Sequence, residues 1–249
     1  QYLFASLFGA ITPFCSCSSI PLFIGFVKGG IPLGVTFAFL ITSPLVNEVA
    51  VAMFLGSFGL RTTEIYVVSG ILLGMIGGFV LGRFKLERYL SPWVCQLQAQ
   101  SDTNSEVWAE KHTPFTDRFP VIVRDAWGIV RGVLLYVLIG IGVGAAMHGL
   151  VPEGFFEQYM SKDNAVPLAV ICAVPMYANA AGIVPVIQVF VAKGIPLGTA
   201  IAFMMGVVGL SLPEATMLKK VMTWRLIGIF FGVMTLFFIL SGYLFNLIL

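Results

Sequence analysis

The chain has 249 residues, of which 58% are hydrophobic and 10% are charged, and its formal net charge is +2. A soluble domain carries roughly 25% charged residues. The low share of charged residues in this chain therefore excludes a soluble globular protein. The small net charge gives no indication of nucleic-acid binding. We therefore expect an integral membrane protein whose excess apolar surface faces lipid.

The apolar residues form continuous runs, which favours membrane helices over a closed barrel. The runs at 65–82, 132–147 and 226–249 contain no charged residue, and each approaches the ~20 residues that cross a bilayer. Because the sequence begins at Gln1 inside an apolar run, we expect the native N-terminus to be missing. The predicted segments are, in chain order, 2–27, 31–59, 65–82, 127–150, 165–192, 195–218 and 223–249.

Prolines are predicted to interrupt four of these segments. Proline removes a backbone donor and disfavours helix at the residue before it. The expected breaks are at Pro13 and Pro21 in the first segment, Pro44 in the second, Pro175 and Pro185 in the fifth, and Pro213 in the sixth.

A polar stretch at 83–124 divides the chain into two halves that resemble one another. The sequence KGGIPLG at 28–34 matches KGIPLG at 193–198. Further matches are Pro21 with Pro185, Phe39 with Phe203 and, after a slip of two residues, Asn47-Glu48 with Pro213-Glu214. We predict a first membrane repeat at 1–82, a linker at 83–124 and a second membrane repeat at 125–249.

The distribution of Lys and Arg predicts the orientation of these repeats. The linker is rich in both, which places it in the cytoplasm. One turn, before the third segment, holds only Arg61 and Glu64, whereas the matching turn of the second half holds Lys219, Lys220 and Arg225. Equivalent turns on opposite sides mean inverted repeats, a recurring architecture of secondary transporters. The predicted fold is an all-α integral membrane protein, a polytopic helical bundle with two inverted repeats containing proline-broken or re-entrant helices.

The stretch 12–21 concentrates thiols and hydroxyls in an otherwise apolar segment, between two prolines. Non-helical backbone at membrane depth persists only where it is buried in protein or lines a wet cavity, so this stretch is a candidate substrate site. On a helix, Cys15 and Cys17 would point about 200° apart, so a dithiol site requires a broken helix. The alternative is that these are small buried membrane residues. The candidate residues are Thr12, Cys15, Ser16, Cys17, Ser18 and Ser19.

The second repeat offers a counterpart at 175–185, in which Tyr177 and Asn179 are candidate site residues and Asn179 falls at the offset of Cys15. An acidic side chain inside a membrane segment suggests a pathway or a proton relay. We expect Glu48, beside Asn47, to be the coupling or gating acid, with Glu214 as a second candidate. The alternative for Glu214 is a position at the membrane interface.

The sequence predicts no resident metal and no cofactor. Cys15 and Cys17 leave a zinc site two ligands short, and His112 and His148 have no matching spacing. The two thiols remain candidate ligands for a soft metalloid cargo. The expected partners are a small-molecule or ion substrate and membrane lipid, with no nucleic acid, and a homo-oligomer is left open.

TPFCSCSSIP at 12–21, GIPLG at 30–34 and TSPLVNE at 42–48 resemble the ArsP/YraQ group of predicted permeases, as does KGIPLG with VPMY at 174–177 in the second half. This resemblance implies a multi-pass permease of the cell membrane with a further helix before Gln1. Some members export trivalent organoarsenicals, which would suit two soft thiolates.

Three classes of function follow from these observations. The favoured one is a secondary transporter that exports a soft, thiol-reactive solute such as a trivalent organoarsenical, with a sulfur-containing anion or a metal ion as the alternative cargo. A membrane thiol oxidoreductase using Cys15 and Cys17 is the second, although an oxidised pair so close in sequence would form a strained ring. A scaffold subunit without cargo is the third, and the buried polar groups argue against it. We expect no enzymatic activity.

Overall fold

A computed structural model describes residues 1–92 apart from 13, 15 and 85, residue 94, a few positions between 123 and 138, and residues 165–248 apart from 177 and 179. Strand pairing among these residues is limited to one isolated bridge between Leu90 and Met222. The helices are α1 (Tyr2–Ile11), α2 (Ser16–Lys28), α3 (Leu33–Leu45), α4 (Glu48–Arg83), a 3₁₀ helix (Leu86–Tyr89), α5 (Ala165–Ala173), α6 (Ala180–Ala192), α7 (Leu197–Gly209), α8 (Leu212–Leu218) and α9 (Trp224–Ile248).

Among the described residues, three apolar helical stretches are long enough to cross a membrane, namely Glu48–Arg83, Leu197–Leu218 and Trp224–Ile248. The helices α2, α3, α6 and α7 have 13 residues each. At about 1.5 Å per residue, such a helix covers roughly 20 Å of a ~30 Å hydrocarbon layer. The bundle therefore mixes full-length and half-length helices, as predicted for an all-α membrane protein with broken helices.

The two halves contain the same elements at a constant shift of 164 residues. This shift carries both ends of α2 onto those of α6, both ends of α3 onto those of α7, and the start of α4 onto the start of α8. α4 is kinked at Gly59 (φ 80°), and the counterpart of Gly59 is Thr223, which lies between α8 and α9. The internal repeat inferred from a few matching residues thus extends through these helices.

Each repeat contains a hairpin of two half-length helices joined by the GIPLG turn. Gly30 (φ 76°) and Gly194 (φ 88°) occupy the left-handed region, where a side chain is strained. Ile31 N donates to Phe26 O at 3.0 Å, and the equivalent bond from Ile195 N measures 3.1 Å. The matching sequences KGGIPLG and KGIPLG therefore encode the same turn, as a re-entrant hairpin requires.

The prolines interrupt the helices less often than predicted. Pro21 and Pro185 lie inside α2 and α6, so the predicted breaks at these two positions are wrong. Pro44 also lies inside its helix, but α3 ends one residue later at Leu45, so the second segment is interrupted next to the predicted position. Proline is tolerated in a membrane helix when neighbouring groups satisfy the backbone atoms it leaves free. Pro175 lies in the turn after α5, and the break expected near Pro213 falls earlier, before α8.

The predicted slip of two residues between the halves is also wrong. Asn47 and Ser211 are the N-caps of α4 and α8, and each side chain accepts from the backbone N–H three residues later. The unslipped register therefore pairs Asn47 with Ser211 and Ala50 with Glu214, so Glu48 and Glu214 are not equivalent.

The equivalent long helices α4 and α9 run in opposite directions. Thr223 N, just before α9, donates to Tyr89 O at 3.0 Å, just beyond the end of α4. Farther from that point, a Cβ built on Gly77 would lie 3.7 Å from Met234 Sδ. Moving backward along α4 thus means moving forward along α9, so the two repeats are inverted relative to each other.

Contacts between the halves are reciprocal. α2 contacts α8, and its counterpart α6 contacts α4, while α3 contacts its own counterpart α7. Reciprocal contacts of this kind are those of a two-fold axis, which here passes between α3 and α7.

Candidate functional site

The C-terminal ends of α3 and α7 meet where the two halves join. A Cβ built on Gly209, the last residue of α7, would lie 3.8 Å from Leu45 Cδ2 at the end of α3. Non-helical backbone follows both ends, before α4 and before α8, and Val46 and Leu210 are buried there. Paired helix breaks at the interface of inverted repeats are where secondary transporters place their substrate sites.

Two buried serines join the start of α2 to the end of α3. Ser19 Oγ lies 2.9 Å from Ser43 Oγ, and Ser43 Oγ donates to the carbonyl of Phe14 at 3.1 Å. Both serine side chains are fully buried. The stretch at 12–21 is therefore held against α3 by hydrogen bonds, a contact with Ser43 that no sequence pattern indicated.

Tyr66 supplies a polar contact that the sequence analysis missed. Its hydroxyl donates to Leu45 O at 2.5 Å, satisfying a carbonyl that the end of α3 leaves free. The ring is fully buried and stacks on Phe54 at 4.4 Å between centroids. A tyrosine at the start of the uncharged apolar segment 65–82 was the available signal.

The two candidate acids occupy different environments. Glu48 begins α4 and is exposed, while Asn47 caps the helix by accepting from Ala50 N at 2.8 Å. Glu214 is 2% exposed, its backbone N–H donates to Ser211 Oγ, and its Oε2 has no hydrogen-bond partner. Within the described part of the chain it is the one buried charged side chain. The geometry therefore favours Glu214 over Glu48 as the acid inside the protein.

The remaining predicted residues fall around the start of α2. The Thr12 hydroxyl donates to Phe8 O at 2.7 Å after the end of α1. Ser16 and Cys17 belong to the first turn of α2, and Ser18 is half-buried there. The candidates Cys15, Tyr177 and Asn179 lie outside the described residues.

Within the described ranges, no three His, Cys, Asp or Glu side chains cluster in a way that would hold a metal ion. Cys172, on α5, is a half-buried free thiol. The chemical groups that the described residues present at the site are thus hydroxyls and backbone carbonyls at helix ends, with the Glu214 carboxyl buried on α8.

A family described as a predicted permease, ArsP_1, matches residues 1–247. The chain is 21% identical to UPF0718 protein MJ0584 of Methanocaldococcus jannaschii, over 100% of this chain and 82% of that protein. It is 30% identical to UPF0718 protein YcgR of Bacillus subtilis over 36% of this chain and 32% of that protein. It is 24% identical to UPF0718 protein YraQ of Escherichia coli over 88% of this chain and 60% of that protein. No solved structure matches the chain.

Proposed function

Because this chain belongs to the ArsP_1 family of predicted permeases, we propose that it is a secondary transporter whose substrate site lies where α3 and α7 meet. The observation that carries this proposal is the pair of half-length helices ending against each other on the axis of two inverted repeats. Broken helices at such an interface leave backbone groups free to bind cargo. Alternating access would then proceed by movement of the hairpins α2–α3 and α6–α7.

The proposed cargo is a soft, thiol-reactive solute, of which a trivalent organoarsenical is the favoured example, and transport is outward. The start of α2 supports this, because α2 begins at Ser16, between Cys15 and Cys17 in the sequence, so the two cysteines belong to the start of a helix and not to its interior. Free backbone N–H groups at a helix start stabilise a thiolate, and thiolates bind soft metalloids. Thr12, Ser16, Ser18, Ser19, Tyr177 and Asn179 would complete the site, with Asn47 and Glu48 as a gate at the start of α4.

Uptake of methylarsenite into everted membrane vesicles, with and without a proton gradient, tests this function. We expect the protein to accumulate the compound, and the Cys15→Ser/Cys17→Ser variant to fall to the level of vesicles that lack the protein. Cys172→Ser is the matched control, because this thiol lies on α5 and we expect uptake to be unchanged. Absence of uptake with folded, inserted protein would refute the organoarsenical assignment.

A sulfur-containing anion is the second candidate cargo. The start of α2 favours it independently of the thiols, since the positive end of the helix dipole attracts anions. Uptake of such an anion should survive the Cys15→Ser/Cys17→Ser substitutions, whereas uptake of a metalloid should not. A thiol–disulfide couple without any solute flux would instead favour a membrane oxidoreductase.

A further inference from the structure

The two repeats share a backbone but differ in the side chains at equivalent buried positions. Glu214 is 2% exposed, and its counterpart Ala50 is 0% exposed. Ser19 and Ser43 are polar, whereas their counterparts Ile183 and Val207 are apolar. At these three pairs of positions the first repeat therefore has the buried hydroxyls, and the second has the buried carboxyl.

Helix α2 contacts both the helix that carries the Ser43 hydroxyl and the helix that carries the Glu214 carboxyl. Its first turn carries Cys17, and Ser19 binds Ser43 of α3. The same helix contacts α8, which carries Glu214. Movement of the α2–α3 hairpin that opens the proposed substrate site would therefore change the contact between α2 and α8.

Among the described residues, few titratable groups lie on the elements next to α8. α2 brings Cys17 and Lys28, which lie at opposite ends of that helix, and α7 brings none. α5, whose following turn binds Leu212 N through Val174 O, brings Cys172. The remaining ones are Lys219 and Lys220 just beyond α8. Glu214 Oε2 makes no hydrogen bond, so no described neighbour fixes the carboxyl in its ionised form.

We propose that Glu214 is the proton-coupling site of this transporter, an inference that rests on the proposed function. The carboxyl takes up a proton from the external side and releases it to cytoplasmic water, while the solute moves outward. Because α2 contacts both α3 and the helix α8 that carries Glu214, protonation of Glu214 and occupation of the substrate site favour opposite positions of the hairpin. The unpartnered, buried carboxyl supplies a group that changes charge only when the movement opens it to water.

The test compares the protein with Glu214→Gln, which keeps the shape of the side chain but cannot exchange a proton. Methylarsenite is followed in everted vesicles as accumulation against a proton gradient and as exchange between labelled and unlabelled compound without a gradient. We expect accumulation to fall at least about tenfold while exchange stays within about twofold, because the carboxyl couples but does not bind the cargo. Glu64→Gln, an exposed acid on α4, is the matched control and should change neither rate.

The outcomes separate the two proposals. Accumulation retained by Glu214→Gln would overturn the coupling role and leave the transporter intact, and exchange lost in folded Glu214→Gln would make the carboxyl part of substrate binding instead. If the unsubstituted protein neither accumulates nor exchanges methylarsenite, the proposed cargo fails. Infrared difference spectra of the purified protein, recorded at a series of pH values, then test whether Glu214 binds and releases a proton without any cargo. A carboxyl C=O band that titrates and is missing from Glu214→Gln supports the inference, and identical spectra overturn it.

Discussion

Ser43 links two parts of the chain that are distant in sequence. Its hydroxyl contacts Ser19 at the start of α2 and the carbonyl of Phe14 before it. Leaving a buried hydroxyl or carbonyl without a partner is unfavourable in a membrane interior. These bonds therefore hold the candidate cysteine-bearing stretch at the end of α3.

A double-mutant cycle of Ser19→Ala and Ser43→Ala measures this contact. We expect each single variant to lower the free energy of unfolding, and the pair to show a coupling of about 0.5–2 kcal/mol. Unfolding of the purified protein in detergent provides the measurement. Ser69→Ala is the control, because this hydroxyl bonds to Tyr66 O in its own helix. Additive effects of the Ser19→Ala and Ser43→Ala substitutions would contradict the contact.

At the scale of elements, the hairpin turns determine how the half-length helices pair. The turn after α2 and the turn after α6 both require a residue with positive φ, and both have glycine there. The residues that follow, Pro32 and Pro196, have almost the same conformation, with φ of −52° and −55°. The two hairpins are therefore fixed by local backbone geometry, independently of what they pack against.

Gly30→Ala tests this requirement. A Cβ at Gly30 would meet no atom within 4 Å, so its effect reports the backbone alone, and we expect a loss of about 1–2 kcal/mol from the left-handed conformation. Gly194→Ala should behave in the same way. Gly25→Ala, which has open space and helical geometry, should leave stability unchanged or raise it by up to about 1 kcal/mol. Equal effects at Gly25 and Gly30 in unfolding experiments would refute the argument.

At the scale of the whole molecule, the inverted relation of the repeats joins two observations. α4 and α9 are equivalent helices that run antiparallel, and residues 89–91 bond to residues 221–223. The start of the basic linker therefore lies beside the basic turn at 219–225. The positive-inside rule assigns both segments to the cytoplasm, and we propose that this side of the bundle faces it.

Arg61 and Arg225 are equivalent under the shift of 164 residues, and both are exposed, Arg61 just after the kink of α4 and Arg225 at the start of α9. Inverted repeats place them on opposite sides of the membrane. In a background without other cysteines, we expect a membrane-impermeant maleimide to label Arg61→Cys from outside intact cells and Arg225→Cys only after the cells are opened. Labelling of both from one side would contradict the inverted arrangement.

Composition and local pattern determined the class of the protein and the hairpin turns. Apolar runs without charge can only face lipid, and GIPLG needs a glycine at one backbone conformation wherever it occurs. The tertiary structure decided which prolines interrupt helices. A proline leaves a carbonyl of the preceding turn without its helical hydrogen bond, and the helix continues only where neighbouring groups satisfy that carbonyl. It also decided the register of the repeats, which pairs Glu214 with Ala50, and the contacts of Ser43 with Ser19 and of Tyr66 with Leu45. Each of these contacts joins segments separated in sequence, so it exists only once the helices have packed.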